Sequence, residues 1–84
     1  MNNNKITINN KLIEAASIVR WHLEENDKSP TGENVAQVLK DQDVIKALKH
    51  NLIDVTVLGD YFGRYCYLIS YQIKQAYEEK AKLT

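Results

Sequence analysis

Apolar residues return at the helical period along most of this chain. From Asn10 onward, Leu12, Ala15, Ala16, Val19 and Leu23 recur at three- and four-residue steps. With Asn10 placed to cap, the spacing predicts a first helix over residues 11–26. Its end is signalled by Asn26-Asp27-Lys28-Ser29-Pro30, because the residue before a proline is pushed out of the helical region. Ser29 as N-cap and Pro30 as first helical residue then predict a second helix over residues 30–40. Continuing it to His50 fails on geometry. At 100° per residue Val35, Val38 and Leu39 cluster, whereas Val44, Ile45 and Leu48 fall roughly 180–280° away. A break at Asp41-Gln42-Asp43, with an aspartate capping, restores one face for Val44, Ile45, Leu48 and Leu52. The third helix is thus expected over residues 43–50, closed by Asn51 in the left-handed conformation. Residues 52–58 contain the β-branched run Val55-Thr56-Val57 but have no second strand to pair with, so they read as a helical or irregular connector. Gly59 punctuates, Asp60 caps, and a fourth helix runs from Tyr61 to about Lys82, with Lys74, Lys80 and Lys82 toward its negative end.

The expected fold is therefore all-α: one bundle of about four helices over residues 11–84, with a long C-terminal helix as its spine. Residues 1–10, rich in Asn and carrying only the Ile6-Thr7-Ile8 alternation, read as a flexible N-terminal arm. Eighty-four residues allow one domain. An apolar fraction of 44% and a charged fraction of 26% fit a folded globule and argue against disorder. Eleven basic residues balance eleven acidic ones, leaving no strong field to gather nucleic acid or anionic lipid. The longest apolar stretch, residues 55–73, contains Asp60 and Arg64, so no membrane insertion is expected. A single cysteine, Cys66, and the lack of a signal-like N-terminal run point to a reducing, cytoplasmic setting. Asn, Ile and Lys together make 25 of the 84 residues; their A/T-rich codons suggest an AT-rich genome, such as that of many bacteriophages.

Motifs for chemistry are missing. Gly32, Gly59 and Gly63 form no phosphate-binding loop. His22, His50 and Cys66 stand 28 and 16 residues apart, with no paired spacing to begin a metal site. Cys66 shares a helical face with Phe62, Ile69 and Ile73, which reads as a buried structural thiol. Glu24/Glu25 and Glu78/Glu79 are sequence neighbours that diverge by about 100° on a helix and read as solvated surface. No catalytic residue, metal or cofactor is expected, and the chain is read as a non-enzyme.

Thr31-Gly32-Glu33-Asn34-Val35-Ala36-Gln37-Val38-Leu39 resembles the first helix of a helix-turn-helix, with a small Ala36 where a second helix must approach closely. The likeness implies a DNA-binding transcriptional regulator. The chain departs from it afterwards: Lys40-Asp41 replaces the usual Gly and apolar residue of the turn, and Lys46 stands at a core position of the recognition helix. Asp41 and Asp43 would also face phosphates, although Lys46, Lys49 and His50 leave a weak basic edge.

Two groups remain after the core stripes are assigned. On the first helix Trp21 points roughly 180° from the core and Ile18 about 240°. On the fourth helix the expected core stripe is Phe62, Cys66, Ile69, Ile73 and Ala76, flanked by Tyr65 and Tyr77, and Tyr67, Tyr71 and Lys74 form a second row opposite it. Trp and Tyr commonly anchor protein interfaces, because they bury large area at low rotamer cost. Ile18, Trp21, Tyr67, Tyr71 and Lys74 are therefore the expected partner-binding residues. The function read from the sequence is a regulatory accessory protein of phage type that binds another protein or itself: an inhibitor of a host enzyme or a regulator of lysis timing. DNA binding through the helix-turn-helix likeness is the alternative.

Overall fold

A computed structural model describes residues 10–83 of the chain. The N-terminal arm ahead of Asn10, with its Ile6-Thr7-Ile8 alternation, lies outside the described residues. Within them the protein is all-α: α1 (Asn10–Glu25), α2 (Gly32–Leu39), α3 (Gln42–His50) and α4 (Phe62–Leu83), the last two joined through short 3₁₀ turns at Val55–Val57 and Gly59–Tyr61. The radius of gyration of 12.7 Å is close to the ~12 Å expected for a compact chain of this length.

Local chemistry sets the boundaries. α1 closes in a Schellman motif: Asp27 adopts φ +56°, the Lys28 N–H donates to the Leu23 carbonyl at 2.9 Å and the Asp27 N–H to the Glu24 carbonyl at 3.2 Å. α2 starts later than Ser29-Pro30 suggests. Its cap is Thr31, whose hydroxyl accepts from the Asn34 N–H at 3.1 Å, while the Ser29 carbonyl accepts from the Asn34 side chain at 2.9 Å. Ser29 and Pro30 thus shape the approach to the helix and are not its first turn. Asp41 makes the break before α3, accepting from the N–H groups of Asp43 and Val44 at 2.9 and 3.3 Å.

The end of α3 differs from expectation by one residue. Asn51 is right-handed at φ −95°, ψ 18°, and Leu52 takes the left-handed position at φ +65°. The Leu52 N–H reaches the Lys49 carbonyl and the Ile53 N–H the Leu48 carbonyl, both at 2.9 Å, so a second Schellman motif pivots on a leucine. Asp60, expected as the cap of the last helix, sits inside the 3₁₀ turn ahead of α4. The connector is capped instead by Asp54, which accepts from both the N–H and the hydroxyl of Thr56. Those bonds hold its carboxyl below the usual range, the hydroxyl contributing most.

α4 packs most extensively on α2 and α1, and α1 also lies on α2 and α3. The core takes Leu12, Ala15, Ala16, Val19 and Leu23 from α1, Val35, Val38 and Leu39 from α2, Val44 and Leu48 from α3, Ile53 and Val55 from the connector, and Cys66, Ile69 and Ile73 from α4. Phe62 and Ala76, expected in this stripe, are only half-buried. At the end of the spine, near the 3₁₀ turns, Phe62 has one ring face under the Lys40 ammonium, 5.8 Å from the ring centroid. Tyr77 is also marginal; its hydroxyl donates to Glu24 on α1 at 2.7 Å and pins the far half of α4 to that helix.

Candidate interaction surface

α1 and α3 run past one another with Lys11 at one end, where its ammonium donates to the Asn51 carbonyl at 2.9 Å. At the other end their surfaces part. Ser17, Ile18, Trp21 and His22 of α1 and Asp43, Val44 and Ala47 of α3 line a groove of about 360 Å³ with an almost wholly apolar wall. Ile18 is half-buried against the core and forms part of this wall, while Trp21 is 63% exposed at its edge. Small Ala47 keeps the α3 side low and leaves the indole beside an open trough. Sequence reasoning singled out Ile18 and Trp21 but not α3's share, because nothing in a single helix's periodicity says which neighbour it will face.

The second group sits on α4. Tyr67 and Tyr71 are 63% and 43% exposed, and their rings stack at 6.4 Å between centroids and 20° between planes. The Tyr71 hydroxyl accepts from the Gln75 side chain at 3.0 Å, and the Ser70 hydroxyl donates to the Tyr67 carbonyl at 2.8 Å. Lys74 continues the same row, exposed. These ring and hydrogen-bond partners all belong to α4, so the ridge is a surface of that helix and not a second packing layer. The groove and the ridge are separate patches. A third apolar exposure runs against expectation: Leu52, placed by its spacing on the face of Val44, Ile45 and Leu48, has left the helix at φ +65° and is 84% exposed, with Val57 and Tyr61 near it at 75% and 64%.

Electrostatics add little focus. On α3, Lys46, Lys49 and His50 are exposed, but the turn before them carries Asp41, whose carboxylate is committed to capping, and Asp43 at the mouth of the groove. Cys66 is buried, and that burial pushes its thiol above the usual range despite weaker opposing effects from a backbone hydrogen bond and Lys40. Among the described residues, no three His, Cys, Asp or Glu side chains gather to hold a metal ion, and no helix is long and apolar enough to cross a membrane. The chain matches no protein-family model, and comparison with curated proteins and with solved structures found no match.

Proposed function

We propose that this protein acts without catalysis, as a small regulatory protein that binds another protein and alters its activity. The observation that carries the reading is Trp21: the chain's one tryptophan stands 63% exposed beside a mostly apolar groove between two helices. Full burial of a large apolar side chain contributes about 1.5–3 kcal/mol, so the uncovered 63% of Trp21 forgoes about 1–2 kcal/mol of it. A partner that fills the groove recovers that energy and gains a rigid aromatic anchor. The phage-type accessory role, inhibition of a host enzyme or timing of lysis, is the setting that size and codon-driven composition favour.

The test pairs affinity capture with a groove variant. Tagged wild-type chain and Trp21→Ala/Ile18→Ser are passed over lysate of the source cell, with nuclease-treated duplicates. The expected result is a protein retained in near-equal amount by the wild type, lost from the variant, and indifferent to nuclease. Retention by both forms sinks the groove assignment. Retention of DNA, abolished by nuclease and by raised salt, transfers the function to the helix-turn-helix reading.

A further inference from the structure

The outward face of α4 carries Tyr67, Tyr71, Lys74 and Glu78, all exposed. Their 4-3-4 spacing is that of alternating d and a positions in a heptad, on a helix of 22 residues. The buried residues Cys66, Ile69 and Ile73 lie on the opposite side, and none of the described residues covers this row. The geometry points to a second copy of this chain as its occupant: two α4 helices packed antiparallel about a two-fold axis, each ridge against the other. This rests on reading the chain as an interaction protein, and gives α4 its own partner while leaving the α1–α3 groove for a different one.

Charge and ring chemistry select the register. In an antiparallel pair the a and d positions of one helix face the d and a positions of the other, and two-fold symmetry repeats every contact. Three registers satisfy this over the ridge. One sets Tyr67 against the partner's Tyr71 but brings Arg64 against the partner's Lys74, a like-charge layer. A second sets Lys74 against the partner's Glu78 but leaves Tyr67 beyond the end of the partner's helix. The third places Tyr67 against the partner's Glu78 and Tyr71 against the partner's Lys74. There the phenol hydroxyl meets a carboxylate and the ring face meets an ammonium, both attractive. The next layer out, Arg64 against the partner's Ala81, carries no like-charge pair. This same register sets Phe62 opposite the partner's Leu83, so the two helices overlap along their whole length, about 33 Å at 1.5 Å per residue. Either alternative slides them by one heptad and shortens the overlap.

The ridge is already shaped for this contact. Tyr67 and Tyr71 stack on each other, and Gln75 holds the Tyr71 hydroxyl, so little rotamer freedom remains to be lost on pairing. A single helix pair buries less than a standard interface, under ~1,200 Å² in total, the size class of weak and reversible contacts.

Sedimentation equilibrium on the full chain, from about 5 μM to about 1 mM to cover weak association, should show a monomer–dimer equilibrium. Tyr67→Ala/Tyr71→Ala should weaken it at least ~30-fold with the thermal melt unchanged; should that variant melt early, Lys74→Glu, which truncates nothing, reads the same face and must also weaken it. Trp21→Ala should leave dimerisation intact, which separates this proposal from the groove. The register is read by mixing Tyr67→Cys chain with Glu78→Cys chain under mild oxidation: a disulfide-linked pair should form in the mixture and in neither protein alone. A monomer at 1 mM, full-strength association of the folded tyrosine variant, or cross-linking of Tyr67→Cys with Tyr71→Cys in place of the expected pair overturns the proposal.

Discussion

Replacing Leu52 by glycine should stabilise this protein, although it deletes a large apolar side chain. Leu52 holds the left-handed position that ends α3, at φ +65°, where an L-residue with a Cβ meets the following carbonyl at a cost of ~1–2 kcal/mol. It recovers almost nothing by packing, being 84% exposed. If full burial of a leucine contributes ~1.5–3 kcal/mol, the sixth of the side chain that is covered accounts for less than ~0.5 kcal/mol. Glycine removes the steric cost and adds back ~0.5–1 kcal/mol through its greater freedom in the unfolded chain. The net gain is then a few tenths of a kcal/mol. Leu52→Ala keeps the left-handed cost and loses the residual packing, so it should be slightly destabilising. The discriminating quantity is the gap between the two: glycine above alanine by ~0.8 kcal/mol, or ~3–6 °C in melting temperature for a domain this size. Urea melts and calorimetry on the three proteins measure it. In an ordinary helical or extended position the order reverses, with alanine better by ~0.5–1 kcal/mol. Finding that reversed order would refute both the positive φ and the Schellman closure built on it.

Three further expectations are simpler. Ile69, fully buried between α4 and the rest of the core, should cost ~2–5 kcal/mol when cut to alanine, much of the ~4–13 kcal/mol available to a domain of this length, so Ile69→Ala should melt far below Tyr67→Ala/Tyr71→Ala; equal melts would mean that the tyrosine row is packed after all. Cys66 should react slowly with thiol reagents in the native state and fast in denaturant, since burial keeps the thiol protonated and shielded; rapid native labelling at neutral pH would contradict the buried position. Asp54 should titrate below its ordinary 3.8 because Thr56 bonds its ionised form. A depressed folded value means the contribution to stability is present above the ordinary range and lost as pH falls through the folded value; an NMR titration in which Thr56→Val leaves Asp54 unmoved would remove the hydroxyl as the cause.

The four helices could be read from the chain because each carries its own period and its own breaker. Val35, Val38 and Leu39 cannot share a straight face with Val44, Ile45 and Leu48, so the break at Asp41 follows from geometry alone, and the structure puts the cap there. Errors fell where two residues compete for one role. Ser29-Pro30 and Thr31 both suit a helix start, and the winner is the residue whose hydroxyl meets an N–H three positions on. Asn51 is the better left-handed residue by propensity, yet Leu52 takes the position. The next residue, Ile53, is buried, and the pivot at Leu52 sets the Ile53 N–H on the Leu48 carbonyl with its side chain in the core. Tertiary burial outweighed a local preference of about 1 kcal/mol.

The candidate site divides along the same physical line. A residue's departure from its own helix's core face is a property of one helix, so Trp21, Tyr67, Tyr71 and Lys74 could be named from spacing and are exposed. What surrounds them depends on neighbouring helices. The groove beside Trp21 exists because α3 presents Ala47 and Val44 there, and the periodicity of α1 contains no information about α3. The stack of Tyr67 on Tyr71 is intermediate: a four-residue step brings two rings onto one face, but the rotamers that set them 20° from parallel come from the helix surface around them, where Gln75 engages the Tyr71 hydroxyl. Patterning therefore locates candidate anchors, and packing decides what shape they offer. A helix face whose complement lies on the same helix, as proposed for α4, is the case in which patterning can go further and suggest the partner, because both sides of such an interface are written in one segment of the chain.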